Sequence, residues 1–139
     1  MNGSFTIHFE EGMPTGTAQE KGYNHYTRTY YKKPNVENAS AKFKAALYPY
    51  RPAQPSLKPI KLTVWFAWNI KQKKMWGKYK PTRPDTDNYI KEFKDVMTSL
   101  KFWKDDSQVV DERVIKTYAE KASITVWWEE LDETAELRI

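Results

Sequence analysis

The stretch Pro84 to Lys91, PDTDNYIK, holds two aspartates, Asp85 and Asp87, with Lys91 four residues beyond the second. A second acid pair, Asp105-Asp106, follows within Phe102 to Val110, FWKDDSQVV. Carboxylates held together repel one another and lose hydration, so such a concentration calls for a divalent cation, a basic partner or full exposure to water. Oxygen-only donors suit magnesium, which keeps several waters and is held by few carboxylates. A lysine on the same face could contact a scissile phosphate and the charge that develops on it. Each cluster also has a plainer reading. Asp85 and Asp87 stand where a helix begins, and carboxylates there cap free N–H groups and complement the dipole. Asp105-Asp106 alone reads as a turn.

The surrounding charge is uneven. Residues 1 to 84 carry 15 Lys/Arg against 4 Asp/Glu, and residues 85 to 139 carry 8 against 14, within a net charge of +5. Between Lys58 and Pro84 stand Lys58, Lys61, Lys71, Lys73, Lys74, Lys78, Lys80 and Arg83, with no acid among them. This is either a solvated face or a nucleic-acid surface. The interleaved Trp76 and Tyr79 favour nucleic acid, because bases stack on rings while phosphates pair with lysines. Arg28, Lys32 and Lys33, among Tyr26, Tyr30 and Tyr31, form a second candidate phosphate-contacting arm. Trp76 could wedge into opened DNA or pack on its own loop. His8 and His25 read as a strand-face and a loop residue.

The chain has 139 residues, 40% of them hydrophobic and 15% aromatic, enough for one domain with a real core. Without cysteine there are no disulfides and no thiolate metal sites, which suits a reducing cytosol. The longest apolar run, Leu62 to Trp68, is far shorter than the roughly 20 residues a membrane span needs, and no signal pattern opens the chain. A soluble, intracellular protein is expected.

The elements that must position these residues follow from periodicity. Ser4 to Phe9 alternates as a strand, and residues 11–33 read as a long polar loop. Asn35 can cap a helix to about Tyr48 with Phe43, Ala46 and Leu47 on one side, and the prolines beyond form a stiff connector. Ile60 to Asn69 predicts a central strand, and residues 70–84 a basic loop. From Asp87, Ile90, Phe93, Met97 and Leu100 mark the core face of a helix, with Asp87, Lys91 and Asp95 on the opposite face. Val109 to Glu120 and Ser123 to Glu130 predict two strands, and the acidic tail, 131–139, is expected to fray. The sum is an α+β domain over residues 1–139, with a small mixed sheet of about four strands and two helices.

Distance constrains the acids. A helix from Asp87 to Leu100 is about 20 Å long. The residues from Lys101 to Asp105 could barely stretch back along it at about 3.3–3.6 Å each. A two-fold dimer with these helices antiparallel would instead bring Asp106 of one subunit to Asp85 and Asp87 of the other.

PDTDNYIK followed by FWKDDSQVVDERV resembles the RusA-type Holliday junction resolvases, a family common in prophages. The resemblance spans about Thr63 to Val126, with a looser match through Thr17-Ala18-Gln19-Glu20-Lys21. It implies a cytoplasmic, bacterial or phage-encoded homodimer acting in DNA recombination and repair. Its activity would be magnesium-dependent, with manganese possible, nicking two strands symmetrically across a four-way junction. By position in the motif, Asp85, Asp87 and Asp106 are then the metal-binding carboxylates, Asp105 an adjoining one, and Lys91 the essential lysine. Arg28, Lys32, Lys33, Lys71, Lys73, Lys74, Trp76, Lys78, Lys80 and Arg83 would contact the DNA. The rival readings are a non-catalytic branched-DNA-binding protein, such as an inactive prophage copy, and a nuclease with broader branched or single-stranded substrates.

Overall fold

The computed structural model describes residues 2–15, 21–32 and 34–138. Its centre is β4, Ile60–Asn69, whose aromatic and β-branched residues alternate sharply: Ile60, Leu62, Val64 and Phe66 are buried and Trp65 is exposed on the other face. β4 lies between β6, Ala122–Glu130, and β5, Val109–Ala119, with β1, Asn2–Phe9, on the far edge, in the order β1-β6-β4-β5. β4 and β5 run parallel, while β6 is antiparallel to β4 and to β1. The expected four strands and the central place of Ile60–Asn69 are thus realised.

Two helices cover one face. α1 is Pro34–Leu47 and α2 is Thr86–Ser99. α1 opens on Pro34 rather than being capped by Asn35, since proline at the first helical position sacrifices no hydrogen bond. On α2, Ile90, Phe93, Met97 and the following Leu100 are buried as the spacing predicts, and Tyr89 joins them. The packing there is aromatic: the Phe93 ring lies 5.2 Å from that of Phe43 and 5.6 Å from that of Phe66.

The described part of residues 11–33 departs from the loop expected of it. Lys21–Asn24 (β2) and Thr29–Lys32 (β3) pair as an antiparallel hairpin, turned at Arg28 with a φ of 56°. The Gly-rich composition masked a Thr-Tyr-Tyr segment of high β propensity. The acidic tail is tethered at its start by a Leu131 N–H to Pro59 O bond of 2.8 Å. The Asp132 carboxylate then accepts from the Thr134 N–H and hydroxyl, closing a turn. Among the described residues, no helix is long and apolar enough to cross a membrane.

Candidate active site

Because β4 and β5 are parallel, α2 must run back along the sheet between them, and its two ends lie at opposite ends of β5. Asp85 and Asp87 stand at its start. Asp85 occupies the cap position with extended backbone (φ −66°, ψ 146°), yet its carboxylate makes no cap hydrogen bond. The capping explanation therefore does not account for Asp85. Both carboxylates are exposed. One turn further, Lys91 is also exposed, its Nζ 3.7 Å from Asp95 Oδ2, a loose surface pair of little energetic weight.

The turn that delivers Asp85 is anchored by Lys116 on β5, a residue the sequence did not single out. Its ammonium donates to Thr82 O at 2.6 Å and Pro84 O at 2.7 Å. Burial, then the nearby Lys80, holds the Lys116 pKa below the usual lysine value, with Asp85 pulling the other way. The only sequence signal was a cation on the same strand face as Val114 and Tyr118. Beyond Asp87, the buried Tyr89 hydroxyl donates to Pro14 O, which ties the N-terminal segment to the start of α2. Burial pushes the Tyr89 phenol well up.

The second acid pair lies at the other end of α2, in a 3-10 turn over Asp106–Gln108. Asp105 caps that turn: it accepts from the Ser107 hydroxyl at 2.7 Å, and its N–H donates to Gln108 Oε1 at 2.8 Å. The Ser107 hydroxyl first, with neighbouring N–H groups, lowers the Asp105 pKa. Gln108 in turn donates to Ser56 O and Lys58 O, fixing the turn beside the connector. Asp105 is thus engaged in local structure, and Asp106, exposed like it, lies beside it. Val109 and Lys116 are seven residues apart on β5, which at ~3.3 Å per residue separates the two acid sites by about 23 Å. Among the described residues, no three metal-ligating side chains gather within one chain. Among the described residues the acids of one chain stand apart, in line with the separation expected from the helix length.

The basic loop is laced to the outer edge of β5. Gly77 N–H donates to Tyr118 O at 2.8 Å, Tyr118 N–H to Lys78 O at 2.9 Å, and Lys80 N–H to Lys116 O at 3.0 Å. Lys71, Lys73, Lys74, Lys78 and Arg83 are exposed there, and Arg28 is exposed at the hairpin turn. Lys80 is turned inward, donating to Thr82 Oγ1 at 2.5 Å and lying 5.6 Å from the Trp68 ring centre and 5.5 Å from that of Tyr118. Trp76 is half-buried with its Nε1 donating to Ile70 O at 2.9 Å, so it packs on its own loop and is not poised as a wedge. Tyr79, 76% exposed, is the ring that this loop presents. The Lys32 side chain and Lys33 lie outside the described residues. His8 sits exposed on β1, and His25 in the hairpin turn.

Among known proteins, a family model described as Endodeoxyribonuclease RusA matches residues 11–127. The crossover junction endodeoxyribonuclease rusA of Lactococcus phage r1t is 39% identical over 127 residues, covering 88% of this chain and 95% of that protein. The uncharacterized protein YqaN of Bacillus subtilis (strain 168) is 41% identical over 70 residues, about half of each chain. Both acid pairs, Lys91 and the strands β4 and β5 fall inside residues 11–127, and the chain belongs to the RusA endodeoxyribonuclease family.

Proposed function

We propose that this protein is a magnesium-dependent endonuclease that resolves four-way DNA junctions by paired, symmetric phosphodiester hydrolysis in the bacterial cytoplasm. The carrying observation is that Asp85 sits at a helix cap without using its carboxylate to cap, beside the exposed Asp87 and one turn from Lys91. Family membership and the phage relative's name supply the substrate class.

The donor set fits a hard cation: the candidate ligands are all carboxylates, exposed, with neither thiolate nor imidazole among them. Asp85 and Asp87 of one subunit, with Asp106 of the partner subunit, would hold magnesium or manganese. When bound, such an ion supplies Lewis acidity and a more acidic water. Lys91 offsets negative charge on the nonbridging phosphate oxygens and the departing 3′ oxygen as water attacks in line. Lys116 holds the turn that aims Asp85. The exposed cations of the basic loop grip DNA arms through phosphates, without reading sequence and with strong salt dependence.

A labelled synthetic four-way junction tests this reading. Wild-type protein with magnesium should give symmetric nicks that EDTA abolishes, and Asp87→Asn should bind the junction but not cut it. Binding without nicking by the wild type in either magnesium or manganese would establish the non-catalytic rival. Equal cutting of flaps and single strands would establish the broader nuclease.

A further inference from the structure

Asp106 is the middle residue of the segment Lys104 to Gln108, and the two ends of that segment are gathered on one oxygen. The Lys104 N–H donates to Ser56 O at 3.2 Å, and Gln108 Nε2 donates to the same oxygen at 2.9 Å. A carbonyl oxygen has two lone pairs, so both of those on Ser56 are engaged. The chain thus leaves Ser56 and returns to it, with Asp105 and Asp106 exposed in between. That pivot is itself held firmly. Ser56 is 7% exposed, its hydroxyl donates to Glu130 Oε2 at 2.7 Å, and its N–H donates to Phe102 O at 3.2 Å. Glu130 ends β6 and pairs with Ile60 in the sheet, while Phe102 and Trp103 are fully buried. The reference point for the acid turn is therefore the core of the domain.

One end of this loop is closed by backbone and the other by a side chain. Gln108 Nε2 also donates to Lys58 O at 3.0 Å, and its Oε1 accepts from the Asp105 N–H at 2.8 Å. Both donor hydrogens and an acceptor of one carboxamide are thus used. Glutamate would offer the acceptor without the donors, methionine would offer neither, and asparagine carries the same groups on a shorter stem. The backbone of the turn adds only the Gln108 N–H to Asp105 O bond of 3.1 Å. A 3-10 turn of three residues has poor hydrogen-bond geometry and little stability of its own. What keeps the turn in one conformation is the Gln108 side chain.

We propose that Gln108 is a positioning residue for the metal site. Resting on the proposed role of Asp106 as a ligand, its carboxamide fixes the direction in which Asp106 is presented, measured from the carbonyl that Ser56 and Glu130 hold in place. Gln108 does not touch the ion. Side chains that orient a ligand in this way change metal affinity by about 10–100-fold when they are lost. The bonds of Gln108 order a surface turn and leave the buried residues untouched, so the loss of affinity falls at the low end, about tenfold, and the fold persists.

Manganese alone, titrated into the full-length protein and followed by electron paramagnetic resonance, tests this together with amide hydrogen exchange followed by NMR. Gln108→Met should keep a native circular dichroism spectrum, exchange the Asp105 amide about tenfold faster and raise the manganese Kd about tenfold. In an Asp106→Asn background the same substitution should leave the Kd where it stands, because Gln108 acts through Asp106 alone. Should methionine unfold the chain, Gln108→Glu keeps the shape and loses the donors. Any direct pull of its charge on the ion then appears in both backgrounds and cancels in the cycle. Unchanged amide exchange in Gln108→Met, an unchanged Kd where Asp106→Asn raises it, or an equal rise in both backgrounds would overturn the proposal. Faster exchange, with no change of Kd from either Gln108→Met or Asp106→Asn, would instead refute Asp106 as a ligand and leave Gln108 as the clamp of its turn.

Discussion

Replacing Lys116 with methionine keeps most of the side-chain volume but removes the ammonium that donates to Thr82 O and Pro84 O. Hydrogen bonds to charged groups contribute about 1.5–3 kcal/mol each when shielded. Here water can reach the freed carbonyls, so the pair together is discounted to about 1.5 kcal/mol. The loss falls on the placement of the turn and not on the core, so about tenfold fewer molecules hold Asp85 in its binding position. The magnesium concentration for half-maximal junction nicking should therefore rise about tenfold in Lys116→Met, with the rate at saturating magnesium nearly preserved. The melting temperature should fall by only a few degrees. Lys116→Arg, which keeps a cation at this position, should recover part of the magnesium affinity. An unchanged magnesium requirement in Lys116→Met, or a rate loss that magnesium does not recover, would refute the positioning argument.

Four further outcomes follow from the geometry. Asp105→Asn should retain nicking while Asp106→Asn abolishes it, because only Asp105 is committed to capping its turn. Since the folded Asp105 pKa is lowered, its stabilisation is complete above the unfolded carboxylate value near 3.9 and is lost as pH falls through the folded value. Acid unfolding curves of Asp105→Asn should lack that contribution. Tyr79→Ala should weaken junction binding by about 1–3 kcal/mol in gel-shift titrations without changing the melting temperature, whereas Trp76→Ala should lower the melting temperature. Phe93→Ala, in a fully buried site between Phe43 and Phe66, should cost about 3–5 kcal/mol in urea unfolding.

Local chemistry alone makes part of this molecule legible in its sequence. The three- and four-residue spacing of Ile90, Phe93, Met97 and Leu100 dictated the buried face of α2. The same periodicity put Lys91 one turn from Asp87 on the opposite face, because a helix leaves no freedom in that relation. The alternation along Ile60–Asn69 likewise announced a strand, and chain reach alone left Asp106 barely able to return to Asp85. Hidden were the features set by contacts between residues far apart in sequence. Lys116 meets Pro84 across 32 positions because the basic loop folds onto the edge of β5. Trp76 turns inward because its indole N–H finds a carbonyl of its own loop. Whether Asp85 or Asp105 spends its carboxylate on a cap was equally undecidable from composition, since both precede a helical turn and only the folded backbone directs N–H groups at one of them. Residue type and spacing determine which groups are available, while the paths of connected segments over the sheet decide which of them meet.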